Sequence, residues 1–234
     1  MQLLSSVFLP MLAGHLVADF WLQPSSWVHH KKSKGWKSGK LLIHSIIGAI
    51  LPVIFTLQFE LWWFIIVIFA THFLIDAIKL RFNDSITTFL VDQMLHISVL
   101  FVLAFVLTKA TIPDNYSVFW VCTVGFVLVT NPLGILTGMF LKTVTDAKST
   151  SAKLDASAWI GILERILIVI FILISQVAAI GFLVAAKSIF RFSETQKDGN
   201  KKAEYFLLGT LVSFVLAVIV GISTKYLAFL QFPI

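Results

Sequence analysis

Apolar runs separated by short polar gaps dominate the chain, and most of the runs approach the ~20 residues that a bilayer-crossing helix needs. They are Leu3–Leu22, Leu41–Leu57, Leu61–Leu80, Phe89–Thr108, Val118–Leu141, Ile160–Ala186 and Phe206–Leu230. Most are too long for the buried helices of a water-soluble core. The pattern therefore predicts an all-α fold, a polytopic transmembrane helix bundle of about seven spans. The fifth run is interrupted by Thr130-Asn131-Pro132-Leu133-Gly134. Proline removes a backbone donor there, which predicts a kinked or re-entrant segment and keeps six spans as the alternative. The first run has no basic leader and contains His15 and Asp19, so it reads as a retained span and not as a cleaved signal. With no repeat and no soluble stretch, 1–234 reads as a single integral membrane domain. A four-helix part occupies 1–110, and further helices occupy 111–234.

Composition agrees with this reading. Hydrophobic residues make up 58% and charged residues 13% of the 234, against roughly 45–50% and about 25% in ordinary globular domains. So few charges leave too much apolar surface for water, which makes lipid the expected partner and excludes a disordered chain, a disulfide-rich module and a nucleic-acid binder. The net charge of +6 lies in the gaps, where it sets topology. The gap around His29–Lys40 and the one holding Lys79 and Arg81 are expected on the cytoplasmic side, and Gln58-Phe59-Glu60, without Lys or Arg, on the other. His29 and His30 are expected in a solvated or headgroup-facing loop. Seven spans then put the basic stretch Lys187–Lys202 outside, against the rule; six would instead put Lys142–Lys153 outside. One cysteine, Cys122, permits neither an intrachain disulfide nor a thiolate cluster.

Ionisable groups within hydrocarbon are costly and usually face a bundle interior. The first four runs contain His15, Asp19, His44, His72, Asp76, Asp92 and His96. His15/Asp19, His72/Asp76 and Asp92/His96 are each four residues apart, so each pair shares one helix face. In the expected topology every carboxylate is shallower than its imidazole, and all seven groups fall on the order of 5–12 Å below the cytoplasmic boundary. Imidazole nitrogen and carboxylate oxygen suit a divalent metal, zinc first, as one or two ions. Asp19, Asp76 and Asp92 are the candidates for ligand or catalytic base. Two other readings use the same residues: a proton- or metal-ion-coupled transporter, and a non-catalytic scaffold held by a His/Asp hydrogen-bond network.

His15-Leu16-Val17-Ala18-Asp19-Phe20-Trp21-Leu22-Gln23, Leu41-Leu42-Ile43-His44, Thr71-His72-Phe73-Leu74-Ile75-Asp76-Ala77-Ile78-Lys79 and Asp92-Gln93-Met94-Leu95-His96 together resemble the signature of a bacterial membrane-protein family, domain-of-unknown-function family 3307. Leu163-Glu164-Arg165, Ala185-Ala186-Lys187-Ser188-Ile189-Phe190-Arg191-Phe192 and Ala203-Glu204-Tyr205 resemble its longer members. The resemblance implies a multi-pass protein of the bacterial inner membrane and carries no assigned activity. The helix holding Thr71-His72 and Asp76 also resembles that of membrane-bound metal-dependent hydrolases, although their arginine-glycine-containing Thr-His-Ser segment is missing.

A metal in this layer would favour hydrolysis of a lipid-type ester or phosphoester, an amphiphile able to reach a site just below the headgroups. Lys79, one turn shallower than Asp76, and Arg81 are candidate phosphate contacts, with snorkelling to the interface as the alternative. The chain contains no Gly-x-Ser-x-Gly elbow, P-loop, dinucleotide fingerprint or His-Glu-x-x-His motif. Glu164 and Arg165, adjacent and so about 100° apart on a helix, are expected to seek partners elsewhere, in the cluster or at Glu204.

Overall fold

The computed structural model describes residues 7–106, 117–144, 156–198 and 200–231, and among them it contains helices and no strand. Contacts divide the chain into two compact units, Met1–Val127 and Leu128–Ile234.

In the first unit, α1 (Leu9–Phe20) starts with Pro10 in its first turn, where a missing N–H costs nothing. The basic gap, expected as a loop, is itself largely helical. It forms α2 (Ser25–Lys34), which ends at Gly35 with φ +59°, a conformation that glycine adopts without strain. After a short 3-10 turn, Ser38 caps α3 (Gly39–Phe55), its Oγ accepting from the Leu41 N–H at 3.3 Å. The two segments are bent by 104°, so α2 lies crosswise to α3. Then come α4 (Trp62–Lys79), α5 (Ile86–Val106) and α6 (Ser117–Leu128). α1, α3, α4 and α5 enclose an apolar core that includes Met11, Val53, Phe64, Ile68 and Leu100. The backbones of α1 and α3 come unusually close: a Cβ on Gly14 would stand 2.7 Å from Pro52 Cα and N.

The second unit contains α7 (Asn131–Val144), α8 (Ala156–Leu173), α9 (Val177–Asp198) and α10 (Asn200–Gln231). The interruption expected near Pro132 is present as the break between α6 and α7. The sixth expected span, Ile160–Ala186, is not one helix. It breaks at Ile174-Ser175-Gln176, with Ser175 at φ 62°, and Lys225 Nζ donates to Ser175 Oγ at 2.6 Å. Lys187 on α9 pairs with Glu164 on α8, although a continuous helix would hold them roughly 35 Å apart at ~1.5 Å per residue. The chain therefore turns back, and Ile180 packs with Ile168 and Ile172. An apolar run of this length reads as one span because its turn is made by one serine and one glutamine, without Gly or Pro to mark it. The reversal returns Lys187 toward the end at which α8 begins.

Four helical stretches among the described residues are long and apolar enough to cross a membrane: Trp62–Lys79, Ile86–Phe105, Ser117–Val144 and Leu207–Phe229. The bent α2–α3 pair would make a fifth. The expected seven are thus not reached: within the described residues the first run forms only the 12-residue α-helix α1, and the sixth run is split. Outward-facing Ile66, Leu74, Phe105, Phe182, Val215 and Ile219 are exposed. By length and composition these helices are those of a membrane protein.

Candidate metal centre

Each of the four buried histidines of the first unit has an apolar or small residue one turn to one side: Met11 for His15, Gly48 for His44, Ile68 for His72 and Leu100 for His96. One turn to the other side, His15, His72 and His96 have Asp19, Asp76 and Asp92. Helical periodicity thus stacks three layers, of carboxylates, imidazoles and hydrocarbon, across α1, α3, α4 and α5.

The seven residues expected to form one cluster do so. His15, His44, His72 and His96 are each 1–3% exposed, and the side chains of Asp19, Asp76 and Asp92 at most 9%. The His72 ring centroid lies 4.2 Å from that of His96, 4.9 Å from His44 and 5.6 Å from His15. Gly48 makes room for this packing, because a Cβ there would meet the His72 ring at 3.0 Å.

The donor atoms are spaced as ligands of a common ion would be. His44 Nε2 and His72 Nε2 are 3.1 Å apart, and each lies 3.5 Å from Asp19 Oδ1. For metal–ligand bonds of ~2.0–2.2 Å, the edges of a tetrahedron measure roughly 3.3–3.6 Å. Asp76 faces two ways: Oδ2 lies 3.6 Å from His44 Nε2, and Oδ1 lies 3.9 Å from His96 Nε2. Three overlapping groups result, each with ligand atoms within 4.8 Å of one another: His15/Asp19/His72, His44/His72/Asp76 and Asp76/Asp92/His96. Buried His/Asp groups here could hold a metal ion.

Hydrogen bonding leaves the right atoms available. His96 Nδ1 donates to the Asp92 carbonyl oxygen at 2.9 Å, which can only accept, so the Nε2 lone pair is directed into the cluster. His96 Nε2, His15 Nε2, Asp19 Oδ1 and Asp92 Oδ1 are buried without a hydrogen-bond partner. Such atoms are costly in an apolar interior, and a divalent cation would satisfy several at once.

Lys79, expected near the cluster, donates to Asp92 Oδ2 at 2.5 Å. Arg81 is exposed beyond the end of α4 and is not gathered with the buried groups. Two residues in the cluster were not foreseen. Lys31, 4% exposed, reaches in from α2 and donates to Asp76 Oδ2 at 2.6 Å. Gln93 Nε2 donates to Asp19 Oδ2 at 3.1 Å and Asp92 Oδ2 at 3.2 Å. The only signal for Lys31 is that Trp27 and Val28, four and three residues earlier, give α2 an inward face; Lys32, Lys34, Lys37 and Lys40 nearby hide it. His30, expected in a solvated loop, is half-buried with Nδ1 2.7 Å from Ser38 Oγ.

The matched sequence family coincides with this arrangement. Residues 7–122 match the model of a family described as protein of unknown function (DUF3307). The chain carries a DUF3307 region. All seven His/Asp residues, Lys31, Lys79 and Gln93 lie within it. The likeness expected over nearly the whole chain is thus confined to the first half, and the Glu164-Arg165, Lys187–Phe192 and Glu204 runs fall outside the matched residues. No curated protein and no solved structure matches the chain.

Glu164 and Arg165 make contacts within the second unit. Glu164 pairs with Lys187. Arg165 donates from Nε to the Val129 carbonyl, from Nη2 to the Thr130 carbonyl at 2.9 Å and from Nη1 to Ser213 Oγ at 3.1 Å. Pro132 has no N–H to offer the preceding turn, and the guanidinium serves carbonyls at the α6–α7 break. The side chain of Glu204 lies outside the described residues.

Proposed function

We propose that the DUF3307 region is an intramembrane divalent-metal site, near the cytoplasmic face of a bacterial inner membrane, that hydrolyses a lipid-type ester or phosphoester. The observation that carries this reading is the convergence of buried imidazole and carboxylate atoms at 3.1–3.6 Å with unsatisfied lone pairs among them. Zinc suits the mixed nitrogen and oxygen set. When bound, such an ion supplies a Lewis acid that polarises an ester or phosphoryl oxygen and makes water more acidic. Asp19, Asp76, His44 and His72 are positioned to hold it. Asp92 and His96 would complete a second position, with Asp76 between the two. Gln93 orients Asp19 and Asp92, and a carboxylate not spent on the ion is the base for water.

A transporter would need polar groups continuing past the site. On the far side of the imidazole layer the interior instead consists of Met11, Val53, Phe64, Ile68, Leu100 and Leu103. That supports a site open to one side only.

Elemental analysis of detergent-purified protein tests the proposal. Wild type should carry stoichiometric zinc or another divalent metal, and His72→Ala with His96→Ala should lose it. Equal trace metal in both proteins would remove the hydrolase reading. Asp76→Asn should abolish hydrolysis of a lipid phosphomonoester, and unchanged turnover would exclude Asp76 from the chemistry.

A further inference from the structure

We infer that the centre selects a phosphoryl oxyanion over a neutral ester, and that Lys31, delivered by α2, is the residue that selects it. This rests on the divalent-metal reading above and names its substrate class. Among the described residues, the charged groups of the centre are three buried carboxylates, Asp19, Asp76 and Asp92, the buried ammonium of Lys31 and the partly exposed ammonium of Lys79, which is paired with Asp92. The four imidazoles are neutral when they act as ligands. The cluster alone therefore carries one excess negative charge. One divalent ion converts that to one excess positive charge, and two ions to three. A net charge surrounded by hydrocarbon is costly unless a counter-charge accompanies it. A neutral carboxylic ester brings none, whereas a phosphomonoester or phosphodiester brings one or two.

The placement of Lys31 adds direction to the charge argument. It is the only lysine of α2 that is buried; Lys32 and Lys34 are exposed, Lys32 being paired with Asp84. Its carboxylate partner, Asp76, is the residue that faces both candidate ion positions. The described hydrogen bond to Asp76 Oδ2 uses one of three ammonium donors, so Lys31 can keep Asp76 in place while donating to an oxyanion beside the metal. Lys79 sits comparably on Asp92. α2 lies crosswise to α3 and carries Lys31 on its inward face, at the carboxylate side of the imidazole layer, where a headgroup would enter.

Metal and oxyanion should consequently bind cooperatively, and by linkage each tightens the other equally. The test is buffered zinc titration of protein in phosphatidylcholine nanodiscs, with and without inorganic phosphate, and in nanodiscs containing phosphatidic acid without free phosphate. Wild type should bind zinc about tenfold more tightly when a phosphoryl group is present. A gain only with phosphatidic acid identifies a lipid headgroup as the source, and a gain with inorganic phosphate alone identifies a free phosphate. Lys31→Gln should retain zinc stoichiometry with coupling reduced to less than about threefold, and Lys31→Arg should restore it. Zinc binding that ignores both phosphoryl sources overturns this inference and leaves the metal site standing. Undiminished coupling in Lys31→Gln removes Lys31 from the role. Absence of zinc in every arm overturns the metal reading and this inference with it.

Discussion

His96 in the first unit and Arg165 in the second are both almost completely buried, at 3% and 6% exposure, but their polar atoms are used differently. All three guanidinium nitrogens of Arg165 donate to oxygens, two of them backbone carbonyls at a helix break. Every nitrogen has a partner. His96 satisfies Nδ1 on its own helix and presents Nε2 to a cluster in which neighbouring atoms also lack partners. A polar group that serves the fold is saturated by the fold, because an unsatisfied one costs about 1–3 kcal/mol. A set of buried groups left unsaturated together, within ligand distance of one another, is arranged as a site that could hold an ion. Burial alone would have ranked Arg165 and His96 alike.

The largest effect that separates the two regions is expected from Arg165→Leu. It strands the Val129 carbonyl in an apolar interior and leaves the Thr130 carbonyl with the Gly134 N–H at 3.2 Å, which should cost about 1–3 kcal/mol of stability, while protein that remains folded keeps its full metal content. Thermal unfolding in detergent together with elemental analysis would show this. Metal lost in proportion to Arg165 would mean that the distinction between the regions is false.

Next in size is Gly14→Ala. Its new methyl would meet the backbone of Leu51 and Pro52 at 2.7–2.8 Å, and backbone cannot rotate aside. Separating α1 from α3 should cost about 1–3 kcal/mol and move His15 and Asp19 away from His44. Stability and metal affinity should therefore fall together, both measurable on one detergent-purified sample. At Gly209 and Gly221 in the second unit, the nearest obstacles are the side-chain ends Leu141 Cδ1 and Ile172 Cδ1, so the same change there should be milder.

How much of this was legible in the sequence depends on which interactions follow from local spacing. The His/Asp pairs four residues apart announced shared helix faces, and their common depth announced one layer, because a helix fixes both by its pitch. The Pro132 break was visible for the same reason. The turn at Ser175 was not, since a serine with positive φ held by Lys225 has no signature within an apolar run. Lys31 was hidden because its role depends on a crosswise helix docking 45 residues from its partner in sequence. Arg165 was visible as a buried charge, but two of its three partners are backbone carbonyls at the α6–α7 break, which no residue type reveals, and the third, Ser213, lies on α10.

The smallest expected change in stability, and the most discriminating, comes from Gly48→Ala. A methyl there would meet His72 Cε1 and Nε2 at 3.0 Å. The obstacle is a side-chain ring and not backbone, so the ring can tilt by a few tenths of an ångström and the cost to folding should stay below about 1 kcal/mol. That tilt, however, displaces the nitrogen lying 3.1 Å from His44 Nε2 and 3.5 Å from Asp19 Oδ1. Metal affinity should fall about tenfold, as it does when groups that orient a ligand are disturbed. Zinc titration beside a melting curve would distinguish a coordinating layer from a merely packed one, because a hydrogen-bonded scaffold would lose stability in step with its geometry. Here affinity should drop while the melting temperature of the metal-free protein hardly moves.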